Sequence, residues 1–186
     1  MTTLLTRPRP FAIVSGVSGL AAGLCFVVFL AFGDPAGLAS DVLGWVQLIA
    51  LAPVALALGD RMPAARVACA VVATAAVLTP VLEIVTGRSI WPGAVCTYLL
   101  FAWILLVSVT GHRLRSLPRP VTGAGLLIGA GASVGAVLLL PGLVTPDNPL
   151  RQAFQAAGIG ISLLAWLGQP VFTLLLGTYV FKEESS

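Results

Sequence analysis

Six long stretches of this chain contain no charged side chain, and this feature limits its fold more than any other. The stretches cover residues 10–33, 42–59, 67–82, 89–112, 120–146 and 152–181. In the whole sequence only 9% of residues are charged and 58% are hydrophobic, whereas soluble domains carry about 25% charged residues. A helix that crosses a bilayer needs about 20 mostly apolar residues. The pattern therefore excludes most soluble folds and predicts a protein that crosses a lipid bilayer several times.

Hydropathy predicts an all-α bundle of six transmembrane helices in a single integral membrane domain, residues 1–186. Pro63 suits the first turn of the third helix, and Pro149 suits the start of the sixth. Ser40 and Asp41 have the short polar side chains that cap helices, so we expect the second helix to begin after them. The predicted spans are 11–32, 42–59, 64–86, 90–110, 121–141 and 153–181.

The basic residues predict the orientation, because cytoplasmic loops of membrane proteins are enriched in arginine and lysine. If the N-terminus is cytoplasmic, eight basic residues lie in cytoplasmic segments and two lie outside. The inside group is Arg7, Arg9, Arg61, Arg66, Arg113, Arg115, Arg119 and Lys182, and the outside group is Arg88 and Arg151. We therefore expect both termini in the cytoplasm and a multi-pass protein of the plasma or inner membrane, of bacterial type.

Glu83 is the carboxylate that lies well inside an apolar stretch, in the third predicted span. Ionisable side chains in membrane helices are costly and often mark functional sites. Because an unpaired charge there is unfavourable, we expect Glu83 to be protonated and to point into the bundle, toward Gln47 or the deeper Gln169. A structural alternative places Glu83 at the outer interface, paired with Arg88 or Arg151.

Two amides and four tryptophans are the candidate ligand-binding residues: Gln47, Trp45, Trp91, Trp103, Trp166 and Gln169. Amides in membrane helices bond freed carbonyls or link helices, and this structural role is the favoured one for both glutamines. The alternative is that both orient a ligand in a shared cavity. Trp45 and Trp91 lie near the predicted outer boundary, where aromatic rings collect. The deeper Trp103 and Trp166 are typical of packing or lipid-facing positions.

Several classes of function are excluded by the sequence. The basic residues lie in short loops and form no face for nucleic acid, so we expect no nucleic-acid partner. Cys25, Cys69, Cys96 and His112 have no metal-ligand spacing, so we expect neither a metal site nor a cofactor. The sequence also lacks the Walker A, dinucleotide-binding, H-E-x-x-H and nucleophile-elbow motifs.

Small residues form regular faces on the first and fifth spans. The residues at four-residue spacing are Ser15, Gly19 and Gly23 on the first span and Gly125, Gly129 and Ser133 on the fifth. Small residues at this spacing let helices approach closely in lipid. We therefore predict neighbours along both faces, either within the chain or in a homo- or hetero-oligomer.

The run Leu82-Glu83-Ile84-Val85 resembles the acid-bearing helix of the integral membrane terpene cyclases. The resemblance covers these four residues, and the second acid that those enzymes carry near their last helix is missing here. The resemblance implies a cyclase or isomerase in which protonated Glu83 is the general acid.

Three functional hypotheses follow from these residues. The first is binding or transport of a lipophilic small molecule in an intramembrane cavity near Glu83, because the second, third and sixth spans each combine an internal proline with a polar side chain. The second is the cyclase or isomerase reaction with Glu83 as general acid. The third is a non-catalytic membrane subunit that docks a partner through its glycine faces. The sequence leaves open whether the chain is an enzyme.

Overall fold

A computed structural model of the chain describes residues 7–33, 36–86, 90–139 and 149–182. Within these ranges the chain forms six helices that are long and apolar enough to cross a membrane, and no strand. The helices are α1 (Pro8–Phe32), α2 (Ala36–Arg61), α3 (Arg66–Thr86), α4 (Ile90–Arg113), α5 (Arg119–Leu139) and α6 (Pro149–Leu175), which continues as a π-helical turn, Leu176–Val180. Their number and apolar character indicate a multi-pass membrane protein.

The start of α2 corrects one prediction from the sequence. Ser40 and Asp41 do not precede the helix, because α2 begins at Ala36 and includes both residues. The hydroxyl of Ser40 donates a hydrogen bond to the backbone carbonyl of Ala22 at 3.0 Å, so it links α2 to α1 and does not cap α2. The proline at the start of the third span behaves as predicted, because the short 3₁₀ turn Pro63–Ala65 leads directly into α3.

The six helices are arranged in a closed ring. Each helix packs on its neighbours in the chain, and α1 packs on α6. Glycine contacts show that α1 and α6 run antiparallel, because Gly16 lies against Leu174 whereas Gly23 lies against Leu167. The largest fully buried side chains are concentrated in one half of this bundle.

The filled half contains the C-terminal part of α2 and the N-terminal part of α3. Leu58, Trp103, Phe172 and Leu176 are fully buried there. The indole N–H of Trp103 donates to Sγ of Cys69 at 3.2 Å, and the ring packs edge-on against Phe172 with 6.0 Å between centroids. On the predicted orientation this is the cytoplasmic half of the bundle.

The predicted packing is confirmed at the glycines of both faces, and their neighbours are helices of the same chain, whereas Ser133 on the fifth-span face is exposed. A Cβ atom added at Gly19 of α1 would lie 2.6 Å from Cδ of Gln47 in α2. A Cβ added at Gly129 of α5 would lie 2.6 Å from Cβ of Leu105 in α4. Both distances are shorter than van der Waals contact, so these helices approach as closely as they do because glycine has no side chain.

The orientation predicts opposite sidedness for two loops. In a chain without its native cysteines, we expect R88C to react with a membrane-impermeant maleimide in intact cells, because residue 88 lies on the predicted outer side. R115C should react only after the membrane is permeabilised. Reaction of both positions from the same side would contradict the orientation.

Candidate ligand cavity

Five of the seven predicted site residues meet at one cavity in the other half of the bundle. They are Trp45, Gln47, Glu83, Trp166 and Gln169. The cavity has a volume of about 240 Å³ and is lined by residues of α1, α2, α3, α4 and α6. The cavity lies toward the C-terminal end of α3 and the N-terminal ends of α2 and α4. On the predicted orientation these helix ends lie in the outer half of the membrane.

Glu83 lies one turn before the end of α3 and is held between α2 and α4. The indole N–H of Trp45 donates to Oε2 of Glu83 at 2.6 Å. The other oxygen, Oε1, lies against Gly93, where an added Cβ would be only 2.7 Å away. The carboxyl group therefore occupies a position that a side chain at residue 93 would block. Its direct hydrogen bond is to Trp45, and neither glutamine bonds to it, although both share the cavity.

Gln47 is a packing residue between α1 and α2 as well as a cavity residue. Its side chain is buried and lies against Gly19. Its backbone carbonyl accepts a hydrogen bond from the hydroxyl of Ser15 at 3.0 Å. These contacts fix the rotation of α2 against α1, which directs Trp45 toward Glu83. The side-chain amide of Gln47 takes part in the packing against Gly19, and the hydrogen bond from Ser15 goes to its backbone carbonyl and not to the amide.

Gln169 differs from Gln47 because its amide nitrogen is buried without a bond. The residue is 3% exposed, and Nε2 has no hydrogen-bond partner in the part of the chain that the structure describes. A buried N–H group without a partner costs about 1–3 kcal/mol. The sequence predicted that this amide would bond a carbonyl near the Pro170 kink or another helix, and Nε2 makes no such bond.

The tryptophans have different surroundings. Trp166 lines the cavity and packs edge-on against Phe26, with 5.7 Å between ring centroids. Trp103 lies outside the cavity lining, in the packed half, where Cys69 and Phe172 account for its contacts. It is therefore a core residue in this structure and not a member of the candidate site. The side chain of Trp91 lies outside the described part of the structure.

Four cavity residues with a polar or thiol group were not among the candidates from the sequence. Ser40, Asp41, Cys96 and Thr97 line the cavity together with the predicted residues. Asp41 was interpreted as a helix cap because the apolar stretch was taken to begin after it. In a helix that starts at Ala36, Asp41 and Trp45 are four residues apart and share a face. Extending the span by one and a half turns would have revealed this second acid.

The cavity lining contains acidic side chains and no basic side chain among the described residues. Among the described residues, its lining includes the carboxyl groups of Glu83 and Asp41 and no lysine, arginine or histidine. The described ranges bring together no three His, Cys, Asp or Glu side chains that could hold a metal ion. The polar side chains of the lining therefore carry carboxyl, amide and hydroxyl groups, and the carboxyl group of Glu83 already accepts the bond from Trp45.

Comparison of the chain with protein-family models, with curated proteins and with solved structures gives no significant match. The function must therefore be argued from the cavity itself.

Proposed function

We propose that this chain is a multi-pass protein of the cell membrane, of the bacterial inner-membrane type with cytoplasmic termini, and that it binds a lipophilic small molecule in the cavity beside Glu83. The observation that carries the proposal is the cavity itself, a space of about 240 Å³ in which Trp45, Glu83 and Gln169 from three helices meet. Polar side chains are costly in membrane helices and often mark functional sites. The indole N–H of Trp45 holds Oε2 of Glu83 at this cavity.

The remaining polar groups support the same conclusion. The described membrane helices pair most of their hydroxyl groups with carbonyls of their own or a neighbouring helix. The cavity instead gathers two carboxyl groups and two amides in a space of about 240 Å³. Binding sites bring a few polar groups together in a concave space, and polar side chains form a large share of the lining of this cavity.

The packing of the bundle favours binding over passage through it. Below the cavity, the space between the helices is filled by the side chains of Leu51, Leu100, Trp103 and Phe172. A molecule that enters the outer half would therefore stop at this core. Transport would require the inner half of the ring to open.

Filling the cavity tests the proposal. Gly44 lines the cavity, and a Cβ added there meets no atom within 4 Å, so leucine at position 44 should extend into the cavity without displacing a helix. In nanodiscs we expect dodecanol, dodecyltrimethylammonium or dodecanoate to raise the melting temperature of the original chain by several degrees, because a ligand at 100 times its Kd adds about 2.7 kcal/mol. We expect no such increase in Gly44→Leu.

Gly123→Leu is the matched control, because Gly123 lies on α5, outside the cavity lining, and an added Cβ there also meets nothing within 4 Å. This variant should respond to the compounds as the original chain does. Equal stabilisation of the original chain and of Gly44→Leu, or no stabilisation by any of the three compounds, would contradict binding in this cavity.

Acid catalysis by Glu83 is the second candidate, and the bond from Trp45 is the observation that favours it. A general acid must be held in a fixed position beside its substrate. The indole N–H fixes Oε2 of Glu83 at the cavity wall, and Asp41 supplies a second acid on the same cavity. A cyclase or isomerase reaction would start with proton transfer from the Glu83 carboxyl group to an apolar substrate.

The contacts of the glycine faces argue against the alternative in which a partner protein docks on them. Gly19, Gly23, Gly125 and Gly129 all lie against atoms of neighbouring helices in the same chain. A partner that used these faces would have to displace those helices. The glycines are therefore better explained as packing sites that form the ring.

A further inference from the structure

The connection between α4 and α5 carries three exposed arginines, and we call it the arginine turn. Arg113 is the last residue of α4, Arg115 lies between the helices, and Arg119 is the first residue of α5. In the described part of the chain, none of the three side chains takes part in a hydrogen bond or an ion pair. Residues 111–120 include no acidic residue. The three guanidinium groups are therefore available to an anion from outside the chain.

The backbone at Arg115 adopts a conformation that usually requires glycine. The N–H of Ser116 donates to the carbonyl of Gly111 at 3.0 Å, and the N–H of Arg115 donates to the carbonyl of His112 at 3.3 Å. These bonds form the Schellman motif that ends many helices, with its left-handed residue at Arg115, where φ is 52°. Glycine would close the same turn without strain, so the turn itself does not require an arginine.

Arg119 also occupies a position that helix stability disfavours. The N-terminal end of a helix carries a partial positive charge, so acidic residues are favourable there and basic residues are not. The first turn of α5 has no acidic residue, and Arg119 is its first residue. Unfavourable or strained residues of this kind are expected where a function requires them. The fold of the turn therefore explains neither Arg115 nor Arg119.

The place of the turn indicates a lipid as the source of the anion. Because the turn joins two helices that are long and apolar enough to cross a membrane, we expect it at the bilayer surface. Leu117 is buried against Gly111 and anchors the turn, whereas Leu114 is 62% exposed between Arg113 and Arg115. An exposed leucine among arginines suits the boundary between lipid chains and head groups. A soluble anion would not account for this leucine.

We propose that the arginine turn is a docking surface for anionic phospholipids. The side chains of Arg113, Arg115 and Arg119 bind the phosphate of a head group such as phosphatidylglycerol, and Leu114 contacts the adjoining hydrocarbon. On the predicted orientation this lipid belongs to the cytoplasmic leaflet, whose anionic lipids attract basic residues next to membrane helices. The inference is independent of the cavity, which lies toward the other end of α4.

Native mass spectrometry of the original chain tests the proposal. The protein is released from dodecyl maltoside micelles that contain equal amounts of phosphatidylglycerol and phosphatidylcholine with the same acyl chains. We expect phosphatidylglycerol to bind at least about fivefold more tightly, because one arginine at a lipid surface contributes about that factor. The double variant Arg115→Gln/Arg119→Gln should bring the two affinities within about twofold of each other, because two of the three charges are lost.

Arg66→Gln is the matched control for net charge. Arg66 lies on the same predicted side of the membrane, but its guanidinium group is already paired with Asp60 at 3.6 Å. We expect Arg66→Gln to keep the preference for phosphatidylglycerol although it removes one positive charge. Arg115→Lys, which keeps the charge within the turn, should also keep the preference.

Arg115→Gly separates lipid binding from a role in the fold. Because glycine adopts a positive φ without strain, the melting temperature should stay the same or rise by up to about 4 °C. The preference for phosphatidylglycerol should nevertheless fall as it does in Arg115→Gln. A residue that only stabilised the turn would give the opposite result, a lower melting temperature with an unchanged lipid preference.

Four results would overturn the inference. They are equal binding of the two lipids by the original chain, an unchanged preference in the double variant, a loss in Arg66→Gln as large as that in Arg115→Gln, and displacement of phosphatidylglycerol by an equal concentration of glycerol phosphate. The last result would assign the turn to a soluble phosphate. The comparison of lipids on the original chain requires no variant, and none of these results bears on ligand binding in the cavity.

Discussion

Gly129→Leu is expected to lower the free energy of unfolding by about 1–3 kcal/mol, the usual cost of a larger side chain in a packed core. The added Cβ would lie 2.6 Å from Cβ and 3.0 Å from Cα of Leu105. Because one of these atoms belongs to the backbone of α4, a change of rotamer cannot relieve the contact, and α4 and α5 must move apart. For a chain of this size the change corresponds to a decrease in melting temperature of about 2–4 °C per kcal/mol.

Gly123→Leu provides the comparison on the same helix. Gly123 is two turns from Gly129 but faces outward, and an added Cβ meets no atom within 4 Å. Its replacement should leave the melting temperature in detergent or nanodiscs unchanged or slightly higher, because leucine has a better helix propensity than glycine. Equal melting temperatures for the two leucine variants would contradict the close packing of α4 on α5.

The number of helices and their close contacts could be predicted because both depend on local sequence. An uncharged stretch of about 20 residues has few alternatives to a membrane helix, and glycine at four-residue spacing marks a face for another helix. The start of α2 could not be predicted in the same way. Asp41 looked like a boundary because it is charged, but α2 begins at Ala36 and Asp41 lines the cavity together with Trp45.

The polar residues of the site could be predicted from the sequence. Which of these residues contact each other could not. Glu83, Gln47 and Gln169 stand out because polar groups are costly in membrane helices. Which of them meet depends on the rotation of each helix about its axis, and that rotation is set by contacts between distant residues. Gly19 against Gln47 sets the rotation of α2 and directs Trp45 toward Glu83. The same long-range packing places Trp103 against Phe172 in the filled half, although its sequence context resembles that of Trp166.

Substitutions at Glu83 are expected to separate its structural role from a catalytic one. In Glu83→Gln the amide oxygen can still accept the hydrogen bond from Trp45, so the free energy of unfolding should stay within about 0.5 kcal/mol of the original chain. In Glu83→Leu the indole N–H loses its acceptor, which costs about 1–3 kcal/mol. Thermal unfolding of the two variants measures this difference. A loss in Glu83→Gln as large as that in Glu83→Leu would show that the carboxyl group does more for the fold than accept this bond.

Glu83→Gln also distinguishes the two proposed functions. If the cavity only binds a lipophilic molecule, the amide replaces the carboxyl group as a hydrogen-bonding partner, and the apparent Kd for dodecanol should change by less than about twofold. If Glu83 is a general acid, its loss should slow the reaction by about 10²–10⁴-fold, the usual contribution of a positioned proton donor. Acid catalysis is measured by incubating the protein with an unsaturated long-chain alcohol in D₂O. Transfer of a deuteron to the double bond and loss of a neighbouring proton would leave deuterium on carbon. Exchange by the original chain that Glu83→Gln abolishes would establish catalysis, whereas binding in both chains without exchange would exclude proton transfer to that alcohol.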